Sequence, residues 1–148
     1  MRPLAVLVFL SLLCLPVCAQ KKVIVPPEFA PAAGAPAPPF SPGILINGTL
    51  YVAGQIGQDL KTKQIPADFD AEVKTCLDNV GIILKAGGMK FEDVVAVQVY
   101  LTDMELFPRL NAVYTTYFKD QRPARTTVGV TKLAAAAAHV EITVTAHK

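Results

Sequence analysis

Two charged residues near the C-terminus stand in strand-like runs and have the types needed for a small-molecule site. Arg125 lies in Pro123-Ala124-Arg125-Thr126-Thr127-Val128-Gly129-Val130, and Glu141 follows in a run from Val140 to Thr145. In the first run Thr126, Val128 and Val130 alternate with Arg125, Thr127 and Gly129; in the second, Val140, Ile142 and Val144 form an apolar row and leave Glu141, Thr143 and Thr145 opposite. The strand period of two therefore predicts neighbouring strands on which Arg125 and Glu141 both point away from the main core. An arginine fork offers a carboxylate two parallel charge-assisted hydrogen bonds that a lysine does not reproduce. A nearby glutamate suits positioning a water and moving protons. A second reading has the two residues pairing across a subunit interface with no chemical role, and the strand pattern alone leaves both open.

The elements that must position these residues read in order as hairpin, helix, strand, helix, strand, strand. Asn47-Gly48, between Ile44–Ile46 and Thr49–Ala53, is a two-residue hairpin signal because both positions tolerate positive φ. A helix is predicted from about Asp68, its N-cap, to Ala86, with Gly87-Gly88 as the stop. Its stripe Phe69, Val73, Cys76, Val80, Ile83 has helical spacing and places Cys76 in the core as a small hydrophobe. Val94 to Leu101 is apolar except for Gln98, the pattern of a strand buried on both faces. A second helix, Met104 to Phe118, carries Leu106, Leu110, Val113, Tyr114 and Tyr117 on one side and tolerates Pro108 in its first turn. Two helices on one face leave the other face of the sheet partly apolar, and burial against copies of the same chain is the simplest remedy.

With 148 residues, 52% hydrophobic and 18% charged, the chain supports one core, and a net charge of +2 gives no electrostatic reason to expect nucleic acid or an anionic membrane. Arg2, the apolar run Leu4 to Leu15 and Val17-Cys18-Ala19 read as an export signal over residues 1–19, cut after Ala19, with a periplasmic or secreted destination. The run is short for a transmembrane span; lipidation at Cys18 and an uncleaved anchor are the alternatives. Cleavage would remove Cys14 and Cys18 and leave Cys76 alone, with no intrachain disulfide. Residues 20–42, rich in proline and alanine between Pro26 and Pro42, read as an extended tether or surface strap ahead of a domain from 43 to 148.

His139 and His147 have no Cys, Asp or Glu at ligand spacing, so no metal is expected, and no cofactor is expected because Walker, dinucleotide and Ser-His-Asp signatures do not occur. The five alanines 134–138 are too short for a stable helix. No basic, aromatic-studded stretch suggests a nucleic-acid surface.

The stretch from Pro123 to Arg125 and the apolar-Glu-apolar run at Glu141 resemble the YjgF/RidA family of reactive-intermediate (enamine/imine) deaminases. The likeness extends through Leu50 to Ile56, Leu77-Asp78-Asn79-Val80, Val99 to Asp103 and Asn111 to Phe118, and covers about residues 38 to 148. It implies an α+β, chorismate mutase-like single domain, a mixed β-sheet with two helices on one face, assembled as a homotrimer with pockets between subunits. It implies hydrolysis of 2-imino or enamine acids to keto acids and ammonia, with Arg125 and Glu141 catalytic and with Arg125, Thr127, Phe40, Ala53, Gly54 and Asn111 around the substrate. Archetypal deaminases have Tyr, Ser and Cys where this chain has Phe40, Ala53 and Thr127. Asn111 reads as a ligand contact or a structural hydrogen bond, and Gly54 as room for a ligand or a bulge requirement. A non-catalytic carboxylate-binding or chaperone-like trimer is the alternative, with a ribonuclease third.

Overall fold

The computed structural model describes residues 20–148. The expected export signal, with Cys14 and Cys18, lies outside the described residues. Six strands, β1 (Lys22–Ile24), β2 (Gly43–Ile46), β3 (Thr49–Ile56), β4 (Val94–Leu101), β5 (Ala124–Gly129) and β6 (Val140–His147), form one mixed sheet in the order β1-β2-β3-β6-β4-β5. All pairs are antiparallel except β4 with β5, which run parallel. Helices α1 (Phe69–Ala86) and α2 (Phe107–Tyr117) pack together on one face, so the class is α+β as expected.

Local rules account for the joints. Asn47 and Gly48 both take positive φ, 49° and 73°, and close the β2–β3 hairpin. Asp68 caps α1 by accepting a hydrogen bond from the Ala71 amide at 3.0 Å, and Gly88, at φ 76°, turns the chain out after Ala86. A 3-10 turn at Met104–Leu106 leads into α2, which therefore starts three residues later than its apolar stripe suggested. Pro108 sits in the first turn, where its missing N–H costs nothing.

The core lies between helices and sheet. Val73, Cys76, Leu77, Val80, Ile83 and Leu84 of α1 and Leu110 of α2 meet Leu50, Val97, Val99, Leu101, Val140 and Ile142, all essentially inaccessible to water. β4 alternates, in contrast to the pattern of a strand buried on both faces: Val97 and Val99 face the helices, while Val95 is 50% exposed and Gln98 is open. Tyr51 and Val128 share this helix-free face at 52% and 40% exposure. Strand β1 pairs with β2 through Lys22↔Leu45 and Ile24↔Gly43, so the sheet takes in part of the segment expected to be a tether. No helix among the described residues is long and apolar enough to cross a membrane.

One carboxylate sits inside this core. Glu72 on α1 is fully buried and accepts hydrogen bonds from the backbone amides of His139 at 2.7 Å and Val140 at 3.3 Å. The His139 ring donates from Nδ1 to its second oxygen at 2.9 Å. These bonds moor the start of β6 to the first turn of α1. Glu72→Ala leaves the amides without their acceptor and should cost about 2–3 kcal/mol in urea unfolding, with Glu72→Gln losing less. A second expectation concerns Asp68, whose carboxyl is held below its ordinary value by the Ala71 amide and by Arg109. A depressed carboxyl stabilises above its unfolded value and stops doing so as pH falls through the folded one. Asp68→Asn, which keeps the cap, should therefore be less stable than wild type at pH 6, and the difference should vanish in acid.

Candidate functional site

Arg125 projects from β5 toward α2. Its register partner Val97 is also opposite Val144 of β6, and that row faces the helices. The guanidinium lies 4.5 Å from the ring centroid of Tyr114 and 5.5 Å from that of Phe107, and its Nη2 donates to Asn111 Oδ1 at 2.8 Å. Phe107, Asn111 and Tyr114 are spaced by four and three residues, which puts them on one side of α2. Thr127 shares the Arg125 side of β5. Its hydroxyl and that of Tyr114 are both buried without a hydrogen-bonding partner. Burial pushes the Tyr114 phenol up, and the charges of Arg125 and Arg122 act against that shift. A shallow cleft of about 540 Å³ opens here, lined by Asn111, Tyr114, Thr115, Arg122, Pro123 and Arg125.

This corrects two expectations for Arg125. It points into the helix-covered side rather than away from it, and β4 separates its strand from β6. The physical reason is the same for both. β6 carries the most complete apolar row and takes the centre of the sheet, leaving the polar β5 at the edge. There the aromatic faces of α2 receive a cation, and the Val128 row turns to the open face.

Glu141 does lie on the face opposite its apolar row. It is in register with Tyr100 on β4 and Ile56 on β3. The carboxylate borders a cleft of about 560 Å³ whose walls include Phe29, Phe40, Ala53, Gly54, Lys63 and Ala134. Between Val52↔Val144 and Gln55↔Ile142 the β3 strand has one extra residue, so Ala53 and Gly54 together face Thr143 in a bulge. The Gln55 side-chain amide donates to the carbonyls of Ala53 at 2.9 Å and Gly54 at 3.1 Å. Cys76 donates from its thiol to the Gln55 carbonyl at 3.0 Å, and burial pushes that thiol up, so it stays neutral. Asn79 Nδ2 fixes the carbonyls of Ile56 and Gln58. A β-carbon on Gly54 would collide with the Glu141 carboxylate, so this glycine gives that side chain its room; its φ is not positive, and the bulge by itself does not demand glycine.

The anticipated site residues thus fall into two groups. Phe40, Ala53, Gly54 and Glu141 surround one cleft; Asn111 and Arg125 line the other, with Thr127 beside them. The groups occupy opposite faces of the sheet, across the width of β4. Tyr114 and Phe107 as the bed for Arg125, and Phe29 and Lys63 at the Glu141 cleft, went unassigned in the sequence reading. The four-and-three spacing from Phe107 through Asn111 to Tyr114 was the available signal. Among the described residues no group of three His, Cys, Asp or Glu side chains could hold a metal ion.

The structure is a six-stranded α+β domain with a guanidinium in one cleft, without an ion-pair partner among the described residues, and a carboxylate in another. The chain belongs to the YjgF/RidA family: the family described as Endoribonuclease L-PSP matches residues 30–148. A RutC family protein of Aquifex aeolicus is 41% identical over 120 residues, covering 80% of this chain and 95% of that protein. The 2-iminobutanoate/2-iminopropanoate deaminase of Rattus norvegicus is 40% identical over 114 residues, covering 76% of this chain and 80% of its own. The crystal structure of the YjgF gene product of E. coli superposes with a TM-score of 0.75 at 34% identity, covering 86% and 98% of the two chains.

The Gly54 contact yields a direct test. A crystal structure of Gly54→Ala should show the Glu141 carboxylate turned out of its position while the β3–β6 pairing persists. An unmoved Glu141 would refute the steric assignment.

Proposed function

We propose that this protein hydrolyses 2-imino and enamine acids to 2-keto acids and ammonia, in sites completed by a neighbouring copy of the chain. The observation that carries the reading is Arg125: a half-buried guanidinium held by two aromatic faces and one amide oxygen, with no carboxylate paired to it among the described residues. Its remaining donors suit a substrate carboxylate. Glu141 supplies the other function. Water gives one proton to Glu141 as its oxygen adds to the C=N carbon, and that proton passes to the nitrogen; Glu141 then takes the proton of the new hydroxyl and hands it to the same nitrogen, so the C–N bond breaks, ammonia leaves and the carbonyl forms. An enamine first takes a proton on carbon to become the imine.

A substrate small enough for one cleft does not span both faces of one sheet. A closed ring brings the Arg125 cleft of each subunit against the Glu141 cleft of the next, and a trimer is the smallest such ring in which these surfaces differ. The open sheet face, with Tyr51, Val95 and Val128, is the surface available for burial. Residues 1–19 support export on their sequence alone. A non-catalytic carboxylate binder is the second reading, favoured by Phe40 and Ala53, which put no hydroxyl beside Glu141.

The test generates 2-iminopropanoate in place with an amino acid oxidase and follows keto acid release by the mature protein. Arg125→Ala should lower kcat/KM on the order of a hundredfold, and Glu141→Gln should bind keto acid but not turn over. Unfolding and remixing the two variants should restore on the order of a quarter of the sites, since each intact site then draws on both chains. Release no faster than in buffer would leave the binder reading; no recovery on mixing would sink the shared site.

A further inference from the structure

The Arg125 cleft holds a second arginine with no acid of its own. Arg122 lines the same depression, and none of the residues lining it is acidic. Among the described residues neither Arg122 nor Arg125 has a carboxylate at ion-pair distance, whereas Arg109 is fully engaged by Asp68 and Asp70 at 2.8 Å each. Arg125 is half-buried and Arg122 exposed at the rim of the same cleft, so their like charges add to a positive field there that favours anionic groups. Pro123 biases the backbone of Arg122 toward extended geometry just ahead of β5, and its exposed side chain lines the mouth of the cleft. Beneath them, the buried and unpartnered hydroxyl of Tyr114 adds a polar group within the same walls.

One carboxylate uses the free donors of Arg125 alone and leaves Arg122 without a partner. We infer that the cleft is built for guests with two acid groups, dicarboxylic imino acids of four or five carbons, with Arg125 holding the carboxylate beside the C=N carbon and Arg122 the distal one. Arg122 is then the residue that sets substrate preference, and it takes no part in the chemistry. This inference rests on the assignment of the Arg125 cleft as the carboxylate site.

Binding of stable keto acids tests it without requiring turnover. Titration calorimetry of the full mature chain at low salt should show 2-oxoglutarate binding on the order of tenfold more tightly than 2-oxobutanoate. Arg122→Ala should abolish that preference by weakening 2-oxoglutarate far more than 2-oxobutanoate, with the melting temperature of the unliganded protein held, and added salt should weaken the dicarboxylate more. Equal affinities in wild type, or equal losses of both ligands in the variant, would overturn the proposal, the latter marking Arg122 as a structural or intersubunit contact. A protein that keeps the Arg122-dependent preference but releases no keto acid from imines would refute the deaminase reading alone. A working deaminase with no preference would refute this one alone.

Discussion

Arg125 brings a full positive charge partly out of water, and what the chain sets against it is neutral: the faces of Tyr114 and Phe107 and the amide oxygen of Asn111. A cation over an aromatic face gains about 0.5–2 kcal/mol, enough to hold the group in place without cancelling its charge. The field of the guanidinium therefore remains available to an anion. Arg109 shows the other use of the same side chain: it reaches from α2 to Asp68 and Asp70 at the start of α1, over the Phe69 ring, and ties the two helices together. The difference between these arginines lies in their neighbours: carboxylates neutralise Arg109, and neutral groups leave the charge of Arg125 uncancelled.

The architecture divides the labour accordingly. The unit β4–α2–β5 presents Arg125 and its bed, while β3, β6 and the preceding strap present Glu141. β6 belongs to both, since its apolar row anchors the core and its reverse side carries the carboxylate. Its first residues are moored by Glu72, a buried acidic side chain whose two oxygens meet the His139 and Val140 amides and the His139 ring. The bulge at Ala53-Gly54 then clears the space that the Glu141 side chain occupies.

Local signals in the sequence were sufficient wherever the structure is decided locally. Asn47-Gly48 announced the hairpin, Asp68 and Gly87-Gly88 bounded α1 to the residue, and Cys76 fell into the core stripe as its spacing required. Where strand order or covering layer decides, the same rules gave out. The alternation in β5 identified which residues share a side, yet it assigned the valine side to the core, because a polar edge strand under an aromatic helix inverts the usual preference. Nothing local states that β6 inserts between β3 and β4, a consequence of the competition among strands for the central position. β1 was hidden by its brevity and its proline-rich surroundings, and its place in the sheet comes from pairing with β2. For the site, Glu141 was read on its true face, while Asn111, read as a ligand contact or a structural hydrogen bond to a neighbouring backbone, accepts instead from the Arg125 side chain.

The wall formed by Pro38, Phe40 and Pro42 beside Glu141 has a thermodynamic side. Proline arrives with φ already fixed and has little backbone freedom left to surrender. A flexible loop in the same position would have to be ordered whenever a guest entered, at a cost set against affinity. Here Pro38 and Pro42 and the β1–β2 pairing that flanks them hold part of that wall in place beforehand, so less backbone freedom is left to lose at this cleft than a glycine-rich loop would lose.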